Sequence, residues 1–135
     1  MNLTPFFKSI IDEDKSAVVI CDTEHNIIYM NNAACQNYSK SGGKALLYKN
    51  LLDCHNEKSR EMIKRVVDWF KADGSHNRVH TFYNKKQNKD VYMIALRDDS
   101  NALIGYYEKH EYRNKETAKR YDFSQSLVLA QNGMI

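Results

Sequence analysis

Two short apolar runs set the strongest constraint on this chain. Ala17-Val18-Val19-Ile20-Cys21-Asp22 and Ile27-Ile28-Tyr29-Met30 flank the polar connector Thr23-Glu24-His25-Asn26. A connector of that length has no room for a crossover helix, so the runs pair as an antiparallel hairpin. The second run passes directly into Asn31-Asn32-Ala33-Ala34. Asparagine side chains bond nearby backbone and favour the point where a strand stops and a helix starts. The sequence therefore predicts strand, tight turn, strand, then a short helix over 32–37.

The rest of the chain extends this order. Thr4-Pro5 reads as an N-cap followed by proline at the first helical position. Phe6, Phe7, Ile10 and Ile11 recur at helical spacing on a short helix that ends near Asp12–Asp14. That stripe exceeds what so short a helix needs for itself, so it packs on the domain or on a second copy. Ser39-Lys40-Ser41-Gly42-Gly43 is a break, and Lys44–Leu52 carries leucines consistent with another short helix. The longest helix is expected from about Asn56 to Ala72, with Met62, Ile63, Val66, Val67, Trp69 and Phe70 on its buried face. Gly74 stands where a C-cap glycine is expected. Three strands follow, over 78–83, 90–97 and 102–111, joined by polar connectors too short for helices. They are antiparallel for the same reason as the first pair.

A length of 135 residues fits one domain with a single core, and 42% hydrophobic residues exclude a disordered tail. The net charge of +3 arises from 20 basic and 17 acidic residues, interspersed. A nucleic-acid surface would concentrate its basic residues, and the densest basic stretch, Lys109–Arg120, is broken by Glu111 and Glu116. Three cysteines, Cys21, Cys35 and Cys54, with no C-x-x-C spacing, argue against a disulfide framework and a zinc site. Reduced thiols, no apolar run long enough for a membrane helix and no secretory leader at the N-terminus lead to the expectation of a cytoplasmic protein.

The strand–turn–strand run ending in Asn31, Ala33 and Ala34 resembles the opening "I-x-Y-x-N-x-A-A" of the PAS domain family. The stretch Ile94-Ala95-Leu96-Arg97-Asp98-Asp99-Ser100-Asn101-Ala102-Leu103-Ile104-Gly105 is similar to that family's "P-L-R-D-x-x-G-x-x-x-G" ending. Gly105 matches the second glycine, and Asn101, which tolerates positive φ, stands at the first. Cys54-His55-Asn56-Glu57-Lys58-Ser59 resembles a "C-H-x-x-K-S" segment of one bacterial branch. The resemblance implies an α+β fold, a five-stranded antiparallel sheet with helices packed on one face. It divides the chain into an N-terminal flanking helix (1–14), the PAS-like domain (15–112) and a C-terminal tail or short helix (113–135), with Phe123, Leu127, Val128 and Leu129 as a weak apolar group. GAF-like and profilin-like α+β folds are the competing readings.

The family implies a sensor that binds a small ligand between sheet and helices, or a protein-interaction module. Ligand-binding residues are expected among Tyr29, Asn31, Tyr48, His55, Trp69, Tyr83, Tyr92 and Tyr106, with Met93 also at the wall. Each tyrosine combines an apolar ring with a hydroxyl that needs a partner when buried. Glu108 is expected to point outward. The body of the long helix lacks the histidine that a haem-binding member would use. No cysteine has the neighbours of the photosensory flavin motif, so haem and flavin are disfavoured and the cofactor is left open. The start of the long helix has two readings, an anion site at Asp53–Arg60 or a plain N-cap by Asn56. Phe6, Phe7, Ile10 and Ile11 are the expected homodimer contact, with a signalling protein as a further partner. No phosphate loop, H-E-x-x-H or G-x-S-x-G occurs, so no enzymatic activity is expected.

Overall fold

The computed structural model describes residues 1–124. Helix α1 (Thr4–Glu13) leads into strands β1 (Val19–Asp22) and β2 (Ile27–Met30), helix α2 (Asn32–Asn37) and three 3₁₀ turns. Helix α3 (Glu57–Ala72) and strands β3 (Arg78–Asn84), β4 (Lys89–Arg97) and β5 (Leu103–Tyr112) complete it. The strands form one antiparallel sheet in the order β2-β1-β5-β4-β3, so the two ends of the domain meet at β1 and β5. The expected α+β class and five-stranded sheet are what the structure shows.

The hairpin forms as its sequence dictates. The Asp22 carboxylate accepts from the backbone N–H of Glu24 and Asn26, and His25 takes φ +71° in the turn. A bulge at Ile28 in β2, opposite Ile20 and Cys21, then lets both Ile27 and Met30 face the helices. Asn31 caps α2 by accepting from the Ala34 N–H at 2.9 Å. It is 1% exposed and also accepts from Val18 N–H, while its amide donates to the Ile11 and Ser16 carbonyls. One buried side chain thus holds α1, the lead into β1 and the start of α2 together.

The core lies between the inner sheet face and α3. Phe70, Val67, Ile27 and Cys21 are its most enclosed members, all at 2% exposure or less. Gly105 is required where β5 crosses β1, because a Cβ there would lie 2.1 Å from the Cys21 carbonyl oxygen.

Several local expectations are corrected. Helix α1 includes Thr4; the cap position is Leu3, which offers no side-chain cap, and the Thr4 N–H is accepted by the Asn2 side chain instead. The 44–52 stretch forms two separate 3₁₀ turns, Gly43–Leu46 and Leu51–Cys54, because its backbone docks on the open edge of β2. There Ile27 N–H donates to Lys49 O, and Tyr48 N–H to Ile27 O. The buried stripe of α3 is narrower than expected. Val66, Val67 and Phe70 are buried, whereas Met62 is 49% and Trp69 41% exposed. Trp69 instead stacks flat on the His76 ring, with centroids 3.9 Å apart. Gly74 does not adopt the left-handed conformation, and Arg97 from β4 satisfies the end of α3 in its place. The chain from 113 to 123 forms no helix. Leu127, Val128 and Leu129 lie outside the described residues.

Candidate ligand-binding cavity

Alternation along β4 and β5 decides which side chains reach the hollow under the helices. Lys89, Val91 and Met93 point inward from β4, and Asp90 and Tyr92 point outward. On β5 the inward positions are Tyr106, Glu108 and His110. Cross-strand register pairs Ala95 with Tyr106, Met93 with Glu108, Val91 with His110 and Lys89 with Tyr112.

Two connected hollows result. The inner chamber has a volume of about 260 Å³. Its deep end is apolar, walled by Val19, Cys21, Ile27, Leu46, Met93 and the Tyr106 ring. Its mouth is polar, with Tyr38, Ser41, His55, Glu108 and His110. The outer groove, about 700 Å³ and open to solvent, runs between the first turns of α3 and the ends of β3 and β4. Glu108, His110, Tyr38, His55, Ile63 and Met93 line both.

The polar groups at the deep end are mutually satisfied. The Tyr106 hydroxyl lies 2.8 Å from His25 Nδ1, and the two rings meet edge to face. Burial pushes the Tyr106 hydroxyl up from its ordinary value, and pushes Tyr38 up to about 12. Burial likewise pushes the Cys21 thiol up to about 12, which leaves it protonated and unreactive. At the mouth, His110 Nε2 lies 3.0 Å from Glu108 Oε1. The carboxylate anticipated as outward thus lines the cavity beside the His110 ring, and strand alternation with Tyr106 is what turns it in. His110 Nδ1 is buried with no hydrogen-bond partner among the described residues.

Of the eight expected ligand residues, His55 and Tyr106 line the cavity. Tyr29 sits on the opposite sheet face because of the bulge at Ile28 in β2, and its hydroxyl donates to Asp12 of α1. Asn31 is consumed by its backbone bonds. Tyr48 takes φ +71° on the loop docked at the β2 edge and is 76% exposed. Trp69 lies on the outer flank of α3, against His76. Tyr83, on edge strand β3, donates to Asn88 Oδ1 at 2.7 Å. Tyr92 points away from the helices, beneath the Arg78 guanidinium at 4.1 Å. Asn56 accepts from the Ser59 N–H at 2.9 Å, the geometry of an N-cap. Lys89 and His110 were not anticipated, although inward alternation from Met93 and Tyr106 locates both.

Among the described residues no cluster of three or more His, Cys, Asp and Glu could hold a metal ion, and no helix is long and apolar enough to cross a membrane. In the α1 stripe, Phe6, Phe7 and Ile10 are exposed by 57, 57 and 70%, and Ile11 is half-buried.

Comparison with known proteins places this architecture. No curated protein sequence matches the chain. Among solved structures, it is similar to a PAS domain from Colwellia psychrerythraea, with TM-score 0.61 and 12% identity, over 85% of this chain and all of that one. It is similar to the PAS domain of BvgS from Bordetella pertussis, with TM-score 0.59 and 13% identity over 96% of each chain. A sensory box sensor histidine kinase from Vibrio cholerae aligns with TM-score 0.51 and 15% identity, over 83% of this chain and 92% of that one. A family model described as PAS domain matches residues 15–108. With the sheet order, the Asn31 junction and the roofed inner face, that match makes the chain a member of the PAS domain family.

Proposed function

We propose that this protein is a sensory domain that binds a small ligand in the inner chamber and reports its presence through α1. The observation that carries this reading is the chamber itself. An apolar hollow with a polar mouth, inside a core otherwise closed by Phe70 and Val67, suits an organic molecule. Side chains that simply filled the core would leave few voids larger than a water molecule. The relatives that are sensor proteins support the signalling role, and no step of the reading requires catalysis.

The route outward is short. Met30 lines the chamber, and the next residue, Asn31, holds the Ile11 carbonyl of α1. A ligand that binds one position of β2 more tightly shifts the population of the α1 position that goes with it. The exposed Phe6, Phe7 and Ile10 would carry that change to a second copy or a signalling partner. The same surface favours the other reading, a ligand-free dimerisation module.

Native mass spectrometry of the gently purified protein separates the two. The sensor reading expects an added small-molecule mass, or uptake of one from a mixed metabolite pool. It also expects uptake to be lost when Ala17→Leu fills the chamber. The bare chain mass throughout would leave only the interaction module. For the dimer, Phe7→Glu with Ile11→Glu is expected to halve the mass in light scattering. An unchanged dimer would rule out α1 as the contact.

A further inference from the structure

Lys89 is 5% exposed, yet its side chain makes no ion pair and no hydrogen bond among the described residues. Its ammonium lies 5.3 Å from the centre of the Tyr112 ring, and that cation–π contact is its one recorded interaction. What is buried is the stem of Lys89; its ammonium opens to the groove with no protein anion among the described residues to neutralise it, so a ligand anion can reach it. The residue lines the outer groove.

Its surroundings define what would complete it. His110, whose Nδ1 is also without a partner, pairs with Val91, so it is the diagonal neighbour of Lys89 on the inward face. Glu108, the acid of the groove, is engaged by His110 Nε2 and pairs with Met93, two rungs from Lys89. The two form no ion pair, and Glu108 lies against His110 instead. Between these groups the floor is apolar, formed by Met62, Val66, Val79, Phe82, Val91 and Met93. Exposed Lys58 adds a second positive charge at the rim.

We infer that the ligand is a small amphiphilic anion, an apolar body bearing one carboxylate, with the carboxylate paired to Lys89 and the body on the groove floor toward the inner chamber. This inference rests on the cavity reading above and names the chemistry it takes.

The test is calorimetric titration of the intact protein with decanoate and with 1-decanol. The two share a chain and differ in charge. Decanoate is expected to bind at least about tenfold more tightly, the worth of one charge-assisted hydrogen bond. Lys89→Met keeps the apolar stem and is expected to abolish that preference while leaving decanol binding unchanged. Lys89→Arg is expected to retain it, and Lys58→Met to leave it nearly intact. Equal affinity for the two probes, or a preference that survives Lys89→Met, overturns the carboxylate assignment and leaves the cavity reading standing. Failure of both probes to bind wild-type protein overturns the assignment, and the native mass measurement then decides the cavity reading separately.

Discussion

Arg97 Nη2 donates to the Phe70 carbonyl at 2.7 Å, so a strand residue closes the last turn of the longest helix. The same guanidinium reaches the carbonyls of Asp73, His76 and Asn101, and its Nε donates to Asn77 Oδ1 at 2.6 Å. The Phe70 carbonyl is one of those that the end of a helix leaves without an intrahelical donor. Arg97→Ala is expected to destabilise the protein by about 2–3 kcal/mol in urea denaturation. Arg97→Lys should recover only part of this, since an ammonium cannot reproduce the fork. Full recovery by lysine would show that charge alone matters.

Asn31 ties three segments together through one buried side chain. Asn31→Ala removes the α2 cap and leaves the Val18 N–H and the Ser16 carbonyl without their side-chain partner. A loss of about 3 kcal/mol or more is expected from these terms together. Asn31→Asp keeps both acceptor roles but sets a carboxylate against the Ile11 and Ser16 carbonyls. Its denaturation midpoint should therefore also fall below wild type. A midpoint within error of wild type for either variant would refute the clamp.

Gly105→Ala places a methyl group 2.1 Å from the Cys21 carbonyl oxygen, which is backbone and cannot rotate away. The β1–β5 pairing has to separate to accept it. The expected cost is about 3 kcal/mol, at the upper end for overpacking. Amide exchange should speed up across β1 more than in β3.

The thiols should differ in reactivity. Cys54 is exposed and Cys21 buried, with its acidity suppressed to about 12. A thiol reagent at neutral pH is expected to modify Cys54 quickly and Cys21 only on unfolding.

The same suppression sets the alkaline limit of stability. Cys21 moves from 9.0, and Tyr38 from 10.0, to about 12 in the fold. Between those values the unfolded chain has lost protons that the folded chain keeps. Stability from these groups is thus complete below pH 9 and falls as pH rises toward 12. Urea midpoints measured from pH 8 to 11 should decline steadily above 9. A flat profile would mean that neither group is shut off from water.

The sheet and helices were legible because their signals are local. The hairpin, the Asn31 and Asn56 caps and the short connectors each act within a few residues. The cavity residues were harder to read for two reasons. Tyr92 and Met93 are adjacent on one strand and cannot both face inward, so naming both ignored alternation. Tyr29 was misplaced by a bulge that no local signal announces. The C-cap of α3 depends on Arg97, far along the chain, and no glycine pattern encodes it. Lys89 looks like an ordinary surface lysine until its neighbours in the sheet are known.

Sheet order also governs when the parts can assemble. Strands β3, β4 and β5 are consecutive and meet through turns, whereas β1 must wait for β5, at the other end of the domain. During synthesis α1, β1 and β2 leave the ribosome before their partner strand exists. Pairing across such a sequence distance is a late and slow event. A nascent chain halted before Leu103 should therefore remain sensitive to protease in its N-terminal third, and become resistant only once β5 has emerged.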